Sequence, residues 1–301
     1  MTQTADNTPK TLSDHLKALG GAALMVGFVL MMLELLLFAF DPWGMRYFND
    51  LETIGNDIFT PDDQRGYIMP DGDYQLSHWQ ATIDDGARDL PTAAAPAATC
   101  TVAILGDSVA FGYGVDDADV WLAHLADAFP AVRFVNYAVP RYNSTNVLQT
   151  LQTYPTADAY LYLVVNNDIA PAIDPATQQF AGSGAGLPWL VRYTNFALFR
   201  GGGTGYTPAD DPDARLPEDA NTRRFFRELE TITADERVYL AAFANEALTN
   251  TIRDRGYDLT TLTYPRHRIS VSDYHLNETG NHELAAQLQG LIARMIDEQC
   301  A

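Results

Sequence analysis

The chain has 301 residues, 47% apolar, 11% aromatic and 19% charged, a composition that can bury a sizeable core and excludes intrinsic disorder. With 39 acidic against 19 basic residues the net charge is −20, and no basic cluster offsets it, which excludes a nucleic-acid partner. Only Lys10 and Lys17 are lysines, and Asp outnumbers Glu by 29 to 10. An acidic, lysine-poor surface of this kind reads as adaptation to high salt, where counter-ions screen its self-repulsion.

Residues 1–17 are a polar tail, read as cytoplasmic, and 18–40 (ALGGAALMVGFVLMMLELLLFAF) run apolar with Glu34 as the only charge. As a helix, this stretch reaches about 34 Å, enough to cross a hydrocarbon core of about 30 Å. The expectation is a single transmembrane span. A cleaved signal peptide is the main rival, but the run exceeds the usual ~7–15 residues and no small-x-small site follows it. A buried core helix is the other rival, because an acid near mid-bilayer costs about 3 kcal/mol. Lys10 and Lys17 precede the run, and Trp43 and Tyr47 suit the far interface, so the remainder is expected outside the cytoplasm.

Residues 41–99 carry turn signals, such as Pro70-Asp71-Gly72 and Asp85-Gly86, and no clean periodicity. They read as an irregular lead-in that ends in a small-residue linker, Pro91 to Thr99. From residue 100 onward, five apolar runs alternate with helical stretches. The runs are TVAIL (101–105), VRFVNYA (132–138), YLYLVV (160–165), RVYLAAF (237–243) and DLTTLTY (258–264). Helical spacing occupies 120–129, 146–153, 222–232 and 283–298. This alternation argues for a parallel sheet covered on both faces. The glycine clusters Gly182–Gly186 and Gly201–Gly203 do not open helices after strands, and the acidic run 210–213 lacks calcium-loop spacing, so all three read as loops.

Ligands in open parallel sheets bind beyond the carboxyl ends of the strands. Four groups lie there: Gly106-Asp107-Ser108-Val109-Ala110-Phe111-Gly112 after the first run, Asn136 to Ser144 after the second, Asn166-Asn167-Asp168 after the third, and Ser272-Asp273-Tyr274-His275-Leu276-Asn277 after the fifth. A serine on the first of these turns is a nucleophile if a base reaches it. Of six histidines, only His275 sits at such an end beside an acid. His267 is the competitor, and His124 and His282 fall within helical patterns.

In these four blocks the sequence resembles the SGNH, or GDSL-type, hydrolases. GDSVAFGYGVDD is similar to the first block, Asn166-Asn167-Asp168 to the family's Gly-x-Asn-Asp, and HLNETG to its His-Pro-Asn-x-x-Gly with Leu276 replacing proline. Asp85-Gly86-Ala87-Arg88-Asp89 is similar to a segment that precedes the first block in longer members. The resemblance implies a three-layer α/β/α, flavodoxin-like fold with a five-stranded parallel sheet over residues 100–301. It also implies a serine esterase with Ser108 as nucleophile and His275 as base, needing no cofactor and no metal.

Asp273 stands two residues before His275, where the family more often uses three, a position held here by Ser272; in extended chain it still points to the same side. The implied oxyanion hole is the backbone N–H of Ser108, that of Arg141 and the Asn167 side chain. Arg141 replaces the family's glycine, which puts the loop geometry in doubt. The expected partner is an ester on a small molecule, lipid or cell-surface glycan. Two alternatives use the same residues: an acyltransferase whose acceptor is a cell-surface polysaccharide, and a surface-binding module without chemistry. Cys100 and Cys300 read equally as a disulfide or as two thiols.

The charge balance makes one prediction directly. In a salt series from dilute buffer to molar KCl the melting temperature rises, as added ions screen repulsion beyond a Debye length of about 10 Å at 0.1 M; a flat response contradicts the high-salt reading.

Overall fold

The computed structural model describes residues 11–46, 50, 53–90, 98–171, 187–195, 197–198, 213–264, 266–270, 273 and 275–300. The chain divides into a smaller unit, Met1–Pro42 with Gly186–Arg200, and a larger one, Trp43–Ala185 with Gly201–Ala301. The sequence assigns residues 186–200 to the catalytic domain, whereas their contacts group them with the N-terminal helix.

In the smaller unit, α1 (Leu12–Phe40) is one continuous apolar helix, and no residue of its most apolar stretch is buried. The expected core-helix alternative has no support in that exposure.

The larger unit is built on β6 (Cys100–Gly106), β7 (Val132–Asn136), β8 (Ala159–Val165), β9 (Val238–Phe243) and β10 (Leu259–Thr261), all paired in parallel. Burial on both faces explains why they read as apolar runs. In β8 all seven residues are buried, and they alternate between two cores, Leu161, Leu163 and Val165 on one side and Tyr160, Tyr162 and Val164 on the other. The first core is closed by α3 (Trp121–Ala128) and α8 (Glu278–Gln299) through Trp121, Leu125, Leu288 and Ile292. The second is closed by α4 (Ser144–Thr153), α6 (Ala220–Thr233) and α7 (Glu246–Asp254) through Val147, Leu151, Phe225, Leu229, Leu248 and Ile252. Side-chain caps start four of these helices: Asn143, Asp219, Asn245 and Asn277 each accept a backbone N–H of the first turn.

Two features exceed the sequence reading. Helix α7 is one, a nine-residue element begun by the Asn245 cap. The other is the lead-in, which is not irregular: β1 (Thr60–Asp62) and β2 (Gly66–Ile68) form a hairpin, while β3 (Gly72–Gln75), β4 (Gln80–Asp84) and β5 (Ala87–Arg88) join the main sheet antiparallel. The sheet is therefore eight-stranded, in the order β10-β9-β8-β6-β7-β5-β4-β3. These strands are only two to five residues long, too short to show a period, and buried Ile54, Tyr67 and Trp79 anchor the segment instead. The parallel part keeps the flavodoxin-like order, with its crossover between β6 and β8.

Cys100 opens β6 and Cys300 follows α8, and a disulfide joins them with Cα atoms 5.5 Å apart. It lies at the amino end of β6, opposite the strand end that carries Ser108. The bridge closes a loop of 200 positions, so on the chain-entropy account reduction removes about 4–5 kcal/mol and lowers the melting temperature. Thiol titration of the denatured, unreduced protein should find none, and two would contradict the bridge.

Candidate active site

Ser108 begins α2 (Ser108–Phe111), a single turn at the carboxyl end of β6. The turn is held from several directions. Asp107 caps it by accepting the Val109 N–H at 2.9 Å. The Asn136 amide donates to the carbonyls of Ala110 and Phe111 at 3.1 and 3.3 Å, and the Trp121 indole donates to Ala110 O at 3.2 Å. Gly106, at φ 145°, permits the tight entry: a Cβ there would lie 2.8 Å from the Ala110 Cβ and 2.9 Å from Leu163 O.

Arg88 secures the loop after α2. Its buried guanidinium pairs with Asp117 at 2.7 Å and donates to the carbonyls of Phe111, Gly112 and Val115 at 3.0, 2.7 and 2.7 Å. Burial works to lower its pKa and the Asp117 charge works against it. The segment noted before the first block thus supplies a cation that fixes the loop bearing Tyr113, whose ring lies 4.5 Å from that of His275. The sequence marked the motif without revealing this partner.

His275 is carried by the turn before α8. The Ile269 N–H donates to His275 O at 2.8 Å, and the Asn277 N–H to His267 O at 3.2 Å. Gly280 permits the close fit, since a Cβ there would stand 2.3 Å from His267 O. The imidazole Nε2 lies 2.8 Å from Ser108 Oγ, and Nδ1 lies 2.5 Å from Asp273 Oδ1. The same carboxylate oxygen accepts the His275 N–H at 2.9 Å, so the two-residue spacing works as a side-chain turn. Ser108, Asp273 and His275 are all buried. Ser272 lies outside the described residues. His267 is excluded as the base, because it is half exposed and paired with Glu283 at 2.9 Å. His124 and His282 face each other from α3 and α8, with ring centroids 5.2 Å apart.

Burial pushes the Asp107 carboxyl up, and Asp168, fully buried beside it, is pushed up much further by burial and by the Asp107 charge. For His275, burial is the largest single influence and works to lower its pKa; the Asp273 charge and hydrogen bond, with the Asp107 charge, outweigh it, so the net shift is upward.

Of the third block, Asn166 is used structurally, accepting the Asn245 N–H at 2.9 Å, while the Asn167 amide lies near Asp107 and favours its charged form. Asn167 also lines a cavity of about 220 Å³ with Asp107, Val109, Val165, Phe243 and Tyr264. Val109 borders both this cavity and the groove of Ser108 and His275. Arg141 takes φ 69°, the left-handed conformation that suits the glycine of the resemblance, and its charge acts on His275. Loop position 141 thus has a backbone conformation that glycine adopts most readily, here with an arginine. The lead-in helps hold that loop, with Tyr67 Oη donating to Pro140 O at 3.2 Å and Tyr142 Oη to Tyr67 O at 2.7 Å.

No family model and no curated protein matches the chain. Among solved structures it is similar to a carbohydrate esterase family 2 enzyme with a carbohydrate binding domain from Corynascus thermopiles (Myceliophthora fergusii), at 17% identity and TM-score 0.42 over 71% of this chain and 70% of that one. It is also similar to a lipolytic protein of the G-D-S-L family from Desulfitobacterium hafniense, at 10% identity and TM-score 0.40 over 64% and 99%. A psychrotrophic esterase from Pseudoalteromonas sp. matches at 15% identity and TM-score 0.33 over 66% and 95%. The structural neighbours are thus G-D-S-L lipolytic and carbohydrate esterase proteins, and at this distance the functional reading rests on the site's own geometry.

Proposed function

We propose that the chain is a serine esterase using a Ser108-His275-Asp273 triad, held to a membrane by α1 with its catalytic unit outside the cytoplasm. The observation that carries the chemistry is the imidazole hydrogen-bonded at both nitrogens, at 2.8 Å to Ser108 Oγ and at 2.5 Å to Asp273. Ser108 Oγ attacks the ester carbonyl as its proton passes to Nε2 of His275. Asp273 holds the tautomer that leaves Nε2 free to accept, and stabilises the imidazolium that forms. The oxyanion is received by the backbone N–H groups of Ser108 and Arg141 and by the Asn167 amide. That amide has two N–H groups, so it can serve Asp107 and the oxyanion together. His275 then returns the proton to the departing alcohol, and water repeats the cycle on the acyl-enzyme.

The small cavity beside Asn167, walled by Val109, Val165, Phe243 and Tyr264, suits a short acyl group such as acetyl. The disulfide supports an oxidising compartment, and the length and exposure of α1 support a span. The packing of residues 187–195 on α1 supports retention of that helix over cleavage as a signal peptide.

Ser108→Ala and His275→Ala should each lose at least about a thousandfold in ester turnover with the melting temperature little changed. Full activity in either would end the proposal. Running the same assay with a sugar acceptor present separates hydrolysis, which releases free acid, from acyl transfer.

A further inference from the structure

Within the smaller unit, a second element packs on α1. Helix α5 (Trp189–Asn195) starts at the Glu34 side chain: the N–H groups of Trp189 and Leu190 donate to Glu34 Oε1 and Oε2 at 2.6 and 2.8 Å. The Trp189 ring meets Phe38 edge-on with centroids 5.9 Å apart, and Tyr193 Oη donates to Asp41 Oδ1 at 2.7 Å. Helix α5 therefore begins at the level of Glu34 and climbs alongside α1 toward its carboxyl end. Glu34 lies six residues before Phe40, about 9 Å down the helix axis.

In water neither partner in this arrangement needs the other, since a carboxylate and the opening N–H groups of a helix are both well solvated. In hydrocarbon each is costly alone, because no solvent satisfies it, and each supplies what the other lacks. The surroundings fit hydrocarbon as well. Leu187 and Val191 are 49% and 47% exposed, beside an α1 that is apolar and exposed over most of its length. Arg192, itself buried, lies over the Trp189 ring at 4.6 Å.

We propose that residues 187–195 form a re-entrant element seated in the bilayer leaflet at the carboxyl end of α1, with Glu34 as its polar anchor. The partner is the bilayer itself: acyl chains against Leu187 and Val191, and headgroups at the level of Tyr193 and Asp41. This accounts for the single acid in the span, and it rests on the reading of α1 as transmembrane. The segment lies between Asn167 and α6 in the sequence.

The test uses the full-length, oxidised protein in phosphatidylcholine vesicles, with a nitroxide on Val191→Cys and, in separate proteins, on Val29→Cys of α1 and Asp258→Cys of the larger unit. Relaxation by oxygen, which partitions into lipid, is compared with relaxation by a water-soluble nickel chelate. The oxygen-to-nickel ratio at Val191 should fall below that at the deeper Val29 and exceed that at Asp258 severalfold. Adding Glu34→Ala should move Val191 toward the Asp258 value and leave Val29 unchanged, whereas Glu34→Gln, which keeps an acceptor oxygen, should retain much of the effect. A nickel-accessible Val191 with an oxygen-rich Val29 overturns the re-entrant element and spares the span. Nickel access at both overturns the span and the proposal together. No response of Val191 to Glu34→Ala overturns the anchor.

Discussion

The structure of the site depends on one ring, the His275 imidazole, held between two hydrogen bonds, one to Asp273 two residues away and one to Ser108, 167 residues away. Its reach to Ser108 is fixed by β6 and α2 on one side and by the turn before α8 on the other. Each of those is pinned by atoms that cannot move independently. Asn281 shows the coupling: its side chain donates to Leu276 O beside the histidine and accepts the Trp121 N–H, while the Trp121 indole holds α2. One amide and one indole thus tie His275 and Ser108 to the same core. The Cys100–Cys300 bridge fastens the far ends of the same two elements, the start of β6 and the end of α8.

The charge at the strand ends follows from the topology. Strands β6 and β8 are neighbours at the crossover, so the acids just beyond them, Asp107 and Asp168, are brought together in a buried space. Asp107 is stabilised as a cap and by Asn167, and its charge adds to that of Asp273 in favouring a protonated His275. A base with a raised pKa is a stronger proton acceptor, and it is also protonated over more of the neutral range.

Much of this was legible in the sequence because it is local. The five parallel strands are continuous apolar runs that need no partner to be recognised, and Ser108, Asn167 and His275 occupy short blocks with glycines or caps at fixed offsets. What was not legible depends on distant contacts. Strands β3 to β5 are too short to carry a period and exist through pairing, β5 meeting β7 only at Arg88 and Asn136. Arg88 lies 20 residues before Ser108, and nothing nearby in sequence says that its guanidinium will collect three carbonyls from the loop beyond it. Glu34 read as an awkward acid in an apolar helix, because its partners, Trp189 and Leu190, lie more than 150 residues away. Arg141 shows the converse: the substitution suggested a changed loop, yet the backbone keeps the left-handed conformation.

The claim at the centre of the account is that His275 activates Ser108, and the pH dependence of covalent trapping tests it most directly. The protein is reacted with a fluorophosphonate across pH 5 to 9 and the modified peptide is identified by mass spectrometry. Because only the neutral imidazole accepts the serine proton, and its pKa is raised, the account predicts modification at Ser108 whose rate climbs with pH through a single ionisation above the ordinary imidazole value of about 6.5. Modification elsewhere, or a Ser108 rate indifferent to pH, would contradict it.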